Sequence, residues 1–144
     1  MVATLYDIHG NLAALEAVLA EIPDDTTIVV GGDVCFSGDQ PSAALERLRA
    51  LGDRVLWVRG NTDREITTES HLTNEQVAFL QSLPPTAQID RVLYCHATPR
   101  NDMDIFTERT PRSALPSCSR RSTPTSSCAG IRTCSSSERS RTSA

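Results

Sequence analysis

Six residues that can bind metals or transfer protons directly follow apolar runs of this sequence: Asp7, His9, Asp33, Asn61, Asp63 and His96. They lie in the segments "YDIHGN", "GGDV", "RGNTD" and "CHATP". Carboxylate, imidazole and amide oxygen ligands together suit divalent ions such as Mn²⁺, Fe²⁺ or Zn²⁺. These residue types therefore indicate a metal site, provided that the fold brings the four segments together.

Each segment taken alone also has a structural explanation. An Asp-x-His at a strand end is more often a turn or capping pair, and Asp33 could be an ordinary turn residue. Asn61 after Gly60 is a common turn pair, and His96 could be a histidine of the core. Chance explains four such segments, in this order and each at a strand end, much less well than one shared site does.

The elements that would position these segments alternate between strand and helix patterns. Strands are predicted in "VATLY", "TTIVVGGD", "RVLWVRGN" and "RVLYCHA". Helices are predicted in "NLAALEAVLAEI" with Asn11 as its cap, in "PSAALERLRALG" from Pro41 to Gly52, and in "TNEQVAFLQSL" with Thr73 as its cap. Such repeated units predict an α/β fold with a largely parallel sheet, in which ligands gather beyond the C-terminal ends of the strands.

The four segments carry a family resemblance. "DIHGN", "GGDV", "RGNTD" and "CHATP" resemble, in order, the first four signature blocks of the calcineurin-like metallophosphoesterases, and most of all the small bacterial and archaeal phosphodiesterase branch. The resemblance covers residues 1 to about 110 and implies part of an αββα sandwich. That sandwich is expected to be incomplete here.

The resemblance implies a site for two divalent ions, with Mn²⁺ expected first and Fe²⁺, Zn²⁺ or Ni²⁺ as alternatives. Carried over, Asp7 and His9 bind one ion, Asp33 bridges both, and Asn61 and His96 bind the other. A shared carboxylate is needed because the two ions, roughly 3.5–4 Å apart, repel each other.

The same resemblance implies the hydrolysis of a small phosphate mono- or diester. A hydroxide held between the two ions would attack phosphorus, and the ions together with Asn61 would stabilise the charge on the phosphoryl oxygens. Asp33, Asn61 and Asp63 are the residues predicted to be catalytic.

The chain departs from the family pattern in three places. Tyr6 stands where the family usually has Ser, and Thr62 stands where many members have the His that assists the leaving group. The last block, Gly-His-x-His, supplies one ligand to each ion and is missing, which leaves five of the usual seven ligands. His71 is the only other histidine, and it lies between a polar loop and a helix start. The enzyme is therefore expected to be impaired.

The organisation changes near residue 110. Residues 1–110 are predicted to be the N-terminal portion of a metallophosphoesterase domain, and residues 111–144 a disordered tail rich in Ser, Thr and Arg. The codons that could encode this tail can also be read in a frame shifted one base earlier. In that frame they permit a helix, a strand and then Gly-His-x-His at "AGIRTC". An out-of-frame tail, a genuinely disordered tail, and a tail that binds nucleic acid or is phosphorylated are the alternatives.

Composition narrows the remaining possibilities. Residues 1–109 hold 17 acidic residues and eight arginines, a net charge of −9, which argues against nucleic-acid binding. No apolar run approaches the roughly 20 residues of a membrane span, and "MVATLY" does not resemble a signal peptide. Five cysteines without paired spacing favour a reducing cytoplasm. The oligomeric state is left open.

Two hypotheses of different class follow. The first is a dinuclear metal-dependent phosphoesterase, impaired by the loss of Gly-His-x-His. The second is a non-catalytic relic of that family, which binds a metal, a phosphate or a partner protein weakly.

Overall fold

The computed structural model describes residues 1–68, 71–105, 107, 109 and 110. The strands in this part of the chain are β1 (Val2–Leu5), β2 (Thr27–Val30), β3 (Val55–Trp57), β4 (Thr86–Ile89) and β5 (Val92–Cys95). The α-helices are α1 (Leu12–Leu19), α2 (Pro41–Arg49), α3 (Asn61–Glu65) and α4 (Asn74–Ser82). The tail predicted for residues 111–144 lies outside the described residues.

Three strands form the parallel sheet that the sequence predicts. Its order is β1-β2-β3, with Val2 paired to Thr27 and Ile28 paired to Val55. The central strand β2 is buried because its Val, Val and Ile side chains are covered on both faces, which is typical of parallel sheets. The mixed α/β class is thereby confirmed.

The helices begin where their capping residues predict. The Asn11 side chain accepts a hydrogen bond from the Ala14 N–H (3.0 Å), and the Thr73 hydroxyl accepts one from the Gln76 N–H (3.2 Å). The apolar faces of the helices meet the sheet in one core. Its fully buried members include Ile28, Val30, Val34, Leu45, Leu48 and Leu80.

The last predicted strand does not join the parallel sheet. β5 pairs antiparallel with β4, a strand that the sequence analysis misses, and the two form a separate sheet of two strands. The hairpin loop between Ile89 and Val92 has two residues, and Asp90 has φ 52°, a left-handed conformation that aspartate tolerates. None of the described helices is long and apolar enough to cross a membrane.

Candidate metal centre

Three predicted ligands converge at the end of the parallel sheet. His96 Nε2 lies 3.1 Å from Asn61 Oδ1 and 3.6 Å from Asp33 Oδ2. Asp33 follows β2, Asn61 begins α3 after β3, and His96 follows β5. The hairpin therefore delivers its histidine to the same place as the loops of the parallel sheet.

A second group of ligands shares Asp33. Single ligand atoms of Asp7, His9 and Asp33 all lie within 4.8 Å of one another, and His9 Nε2 is 3.8 Å from Asp7 Oδ1. Asp7 is exposed, whereas Asp33 is buried with 5% of its surface accessible. The Asp33 carboxylate thus lies between a more open group and a more buried one.

Both histidines are held in the same tautomer. Nδ1 of His9 lies 3.1 Å from the Phe36 carbonyl oxygen, and Nδ1 of His96 lies 2.9 Å from the Gly31 carbonyl oxygen. A carbonyl oxygen can only accept, so Nδ1 carries the proton in each ring. In the neutral rings, Nε2 then presents a lone pair to the site, as metal-ligating histidines do.

The atoms around His96 suit a cation. When its imidazole is neutral, His96 Nε2 is an acceptor that faces two further acceptors. These are Asn61 Oδ1 at 3.1 Å and Asp33 Oδ2 at 3.6 Å. Three acceptors without a donor repel one another, and a divalent ion between them replaces that repulsion with coordination. The nitrogen and oxygen donors fit the ions that the sequence predicts.

The loops that carry the ligands have an unusual backbone. Asp7, His9 and Asp33 have φ values of 54°, 49° and 58°, in the left-handed region. Such residues cost of order 1–3 kcal/mol each and persist when surrounding contacts hold them. The Asp7 N–H donates to the Gly32 carbonyl (3.2 Å) and the His9 N–H to the Asp33 carbonyl (3.0 Å), which joins the first two loops.

Two glycines allow the second and third loops to touch. A Cβ at Gly32 would lie 2.5 Å from the Gly60 nitrogen, and a Cβ at Gly60 would overlap Asp33 Oδ1. Gly32 also has φ 100°, which a side chain rarely adopts. Glycine at both positions is therefore required for Asp33 and Asn61 to lie side by side.

Comparison with known families agrees with this arrangement. The family model of the calcineurin-like phosphoesterases matches residues 7–117. The chain belongs to this family. The mixed α/β fold and the grouped ligands fit that assignment.

Relatives and solved structures are similar to parts of this chain. An uncharacterized protein of Methanocaldococcus jannaschii is 30% identical over 125 residues, covering 70% of this chain and 51% of the relative. The symmetrical bis(5'-nucleosyl)-tetraphosphatase of Pectobacterium carotovorum is 37% identical over 60 residues, 40% of this chain and 21% of that protein. A metallophosphoesterase from Sphaerobacter thermophilus has a TM-score of 0.59 at 27% identity, covering 74% of this chain and 50% of that one. The chain spans about half the length of the first of these relatives.

One of the residues predicted to be catalytic is placed differently from the others. Asp63 has no accessible surface, and its carboxylate accepts from the backbone N–H groups of Asp33, Val34 and Gly60 at 2.9, 3.0 and 2.9 Å. Burial raises the pKa of the Asp63 carboxyl, and the three N–H donors oppose that rise. The carboxylate enclosed in this way has no surface open to solvent, and the direct catalytic role of Asp63 stays a prediction.

The departures from the family pattern have structural counterparts. The Tyr6 ring packs where a side chain at residue 31 would be, so the tyrosine fits because residue 31 is glycine. Burial raises the pKa of the Tyr6 hydroxyl to about 12. The Thr62 hydroxyl is buried and has no hydrogen-bond partner among the described residues. His71 is exposed and is not part of the group of Asp7, His9 and Asp33.

A cavity of about 240 Å³ adjoins the buried ligand group. Its lining includes His96 together with Arg59, Arg64, Arg100 and Asp102. Arg64 Nε donates to Asp102 Oδ2 (2.9 Å), and the hydrogen bond from Arg64 holds the pKa of Asp102 below its usual value. The wall of the cavity thus contains both arginine and carboxylate charges, and His96 is the predicted metal ligand that lines it.

Proposed function

We propose that residues 1–110 form the N-terminal, ligand-bearing portion of a dinuclear metal-dependent phosphoesterase that hydrolyses small phosphate mono- or diesters. The observation that supports this most directly is the position of Asp33. Its carboxylate belongs both to the group with Asp7 and His9 and to the group with Asn61 and His96. One carboxylate shared by two ligand groups is what two neighbouring cations require.

The chain's own residues would hold and orient the reacting groups. Asp7 and His9 hold one ion, Asn61 and His96 hold the other, and Asp33 is shared. Bound divalent ions would supply positive charge to the phosphoryl oxygens and a lowered pKa for a bound water. The Asn61 amide would also stabilise charge on the phosphoryl group.

Manganese is the first ion to test, with Fe²⁺, Zn²⁺ and Ni²⁺ next, because the donor set of carboxylate, imidazole and amide oxygen suits all four. Dinucleoside polyphosphates belong among the esters to assay, because one relative over 60 residues is a tetraphosphatase of that class. The cysteines Cys35 and Cys95 are free and buried, which supports the cytoplasm as the location.

Turnover by this chain is expected to be low. The sequence contains histidine only at positions 9, 71 and 96, so Gly-His-x-His is absent. Loss of even the groups that support metal ligands typically costs about 10–100-fold in affinity or activity, and loss of a direct ligand from each ion should cost at least that. The nucleotide sequence spanning codons 108–144 tests whether the motif lies in a shifted frame.

The decisive experiment is hydrolysis of bis(p-nitrophenyl) phosphate with and without added Mn²⁺. Weak hydrolysis that depends on Mn²⁺ and is lost in Asp33→Asn is the expected result. Asparagine tolerates the left-handed backbone of residue 33, so this variant removes the charge and keeps the loop. Mn²⁺ binding without any turnover would instead favour the non-catalytic relic. No Mn²⁺ binding would contradict the phosphoesterase proposal and leave only a relic that binds a phosphate or a partner protein.

A further inference from the structure

The Asp63 carboxylate joins two loops that carry metal ligands. Oδ2 accepts from the Asp33 N–H and the Gly60 N–H, and Oδ1 accepts from the Val34 N–H. Asp63 lies in the first turn of α3, next but one to Asn61. Its two oxygen atoms therefore connect the segment before Asn61 with the segment that contains Asp33.

The connection is reciprocal. Asp33 Oδ1 accepts from the Thr62 N–H (3.0 Å), so the Asp33 carboxylate holds the helix that carries Asp63. Because Oδ1 is used in this way, Oδ2 is the oxygen that faces His96 at 3.6 Å. The orientation of the shared carboxylate is thus set by backbone groups of α3.

The same contacts extend to the first loop. Two of the three residues whose N–H groups donate to Asp63 also accept with their carbonyls from the first loop. The His9 N–H donates to Asp33 (3.0 Å) and the Gly10 N–H to Val34 (2.7 Å). Asp63 therefore lies at one end of a backbone network that crosses all three loops of the parallel sheet. The left-handed conformation of Asp33 is held from both sides.

We propose that Asp63 is the positioning residue of the metal centre. It touches neither substrate nor ion, and it keeps Asp33 and Asn61 close enough to serve one centre by holding the N–H groups of their loops. The proposal rests on the proposed function for its metal, but the loop geometry can be measured on the chain without any metal.

Asp63→Asn tests the proposal on the full chain. Asparagine has the same shape but one acceptor oxygen, so its amide N–H₂ must face at least one backbone N–H. In the metal-free chain, we expect hydrogen exchange to be at least about tenfold faster at whichever of the Asp33, Val34 and Gly60 amides then faces the N–H₂ group, since its acceptor oxygen is lost. With Mn²⁺, we expect the dissociation constant to rise by about 10–100-fold, as for other groups that support metal ligands.

Leu45→Ala is the matched control. Leu45 lies in α2, is fully buried and destabilises the core when truncated, and it is not part of the network. It should speed amide exchange throughout the sheet in proportion to its loss of stability and leave the Mn²⁺ dissociation constant of the folded chain unchanged. Asp63→Glu keeps both acceptor oxygens and the charge, and it should fall between the wild type and Asp63→Asn. If Asp63→Asn does not fold, Asp63→Glu is compared with Leu45→Ala in its place.

The outcomes separate the two proposals. Unchanged exchange at the three amides overturns the positioning role, whatever the metal does. Faster exchange with no more effect on Mn²⁺ affinity than in Leu45→Ala also overturns it, because Asp63 would then be a purely structural residue. If the wild type binds no Mn²⁺, the proposed function fails, and the exchange measurement alone decides whether Asp63 holds the loops.

Discussion

The parallel sheet and the β4–β5 hairpin contribute to the same site but differ in how they are held. In β2, Ile28, Val29 and Val30 have no accessible surface. In β5, Val92 and Leu93 are 37% and 46% exposed. The parallel sheet is the interior of this fold, whereas the hairpin lies against it with much of its apolar surface accessible.

The difference shows which ligands have redundant support. Asp7, His9, Asp33 and Asn61 lie on loops that the backbone network joins to one another. His96 comes from the hairpin. Its Nδ1–H donates to the Gly31 carbonyl (2.9 Å), and its Nε2 lies 3.1 Å from Asn61 Oδ1. A bound ion would therefore tie the hairpin to the sheet, so metal binding and hairpin stability should be coupled.

The largest expected effect is on Mn²⁺ binding, which should fall more when the shared ligand Asp33 is changed than when His96 of the hairpin is changed. Asp33→Asn should weaken all Mn²⁺ binding by at least about 100-fold, because it removes charge from both ion positions. His96→Ala should weaken only one position and leave binding at Asp7 and His9. Calorimetric titration of both variants with Mn²⁺ measures the difference, and Asp39→Ala, which removes an exposed acidic residue after the same strand, is the charge control. Equal losses in Asp33→Asn and His96→Ala would remove the distinction between the two regions.

A smaller effect concerns stability. Leu45→Ala should lower the free energy of unfolding by about 2–5 kcal/mol, because it leaves a cavity in the core. Leu93→Ala should change it by less than about 1 kcal/mol, because that side chain is nearly half exposed. Urea unfolding followed by circular dichroism compares the two. A loss for Leu93→Ala as large as that for Leu45→Ala would show that the hairpin is part of the core.

The smallest effect lies at the edge of the cavity beside His96. The hydrogen bond from Arg64 lowers the pKa of Asp102, so this pair stabilises the folded chain above the usual carboxyl pKa of about 4 and ceases to do so as the pH falls through the lower folded value. Asp102→Asn should therefore be slightly less stable than the wild type at pH 7 and equally stable at the most acidic pH at which both fold. Thermal unfolding at both pH values, with added salt to screen the pair, measures this. A difference that grows toward acid pH would contradict the assignment.

Much of the parallel region is predictable from local sequence. Asn11 and Thr73 are capping residues at recognisable positions, and the apolar spacing of α1 and α2 is that of helices with one buried face. The order of the four polar segments also predicts which residues lie together, because the loops after parallel strands share one edge of the sheet.

The remainder depends on contacts between distant segments. β4 has the sequence "TAQI", an alternation of only four residues in which Ile89 is the one large apolar side chain, so neither that strand nor the antiparallel pairing of β5 is foreseen. Asp63 lies beside Asn61 in a conspicuous motif and is therefore predicted as catalytic. Two of its three hydrogen-bond donors, Asp33 and Val34, lie about 30 residues earlier in the chain, and no spacing rule indicates them.

The packing of Tyr6 against Gly31 has a consequence for how this sequence can change. A Cβ at residue 31 would occupy the space of the Tyr6 ring, while the Gly31 carbonyl accepts a hydrogen bond from Nδ1–H of His96. Substitutions at positions 6 and 31 are therefore not independent: alanine at 31 should be tolerated beside a small residue at 6 and harmful beside tyrosine. Family members usually have serine at the position of Tyr6. If this sequence evolves toward theirs, residue 6 must therefore change before a side chain is added at residue 31.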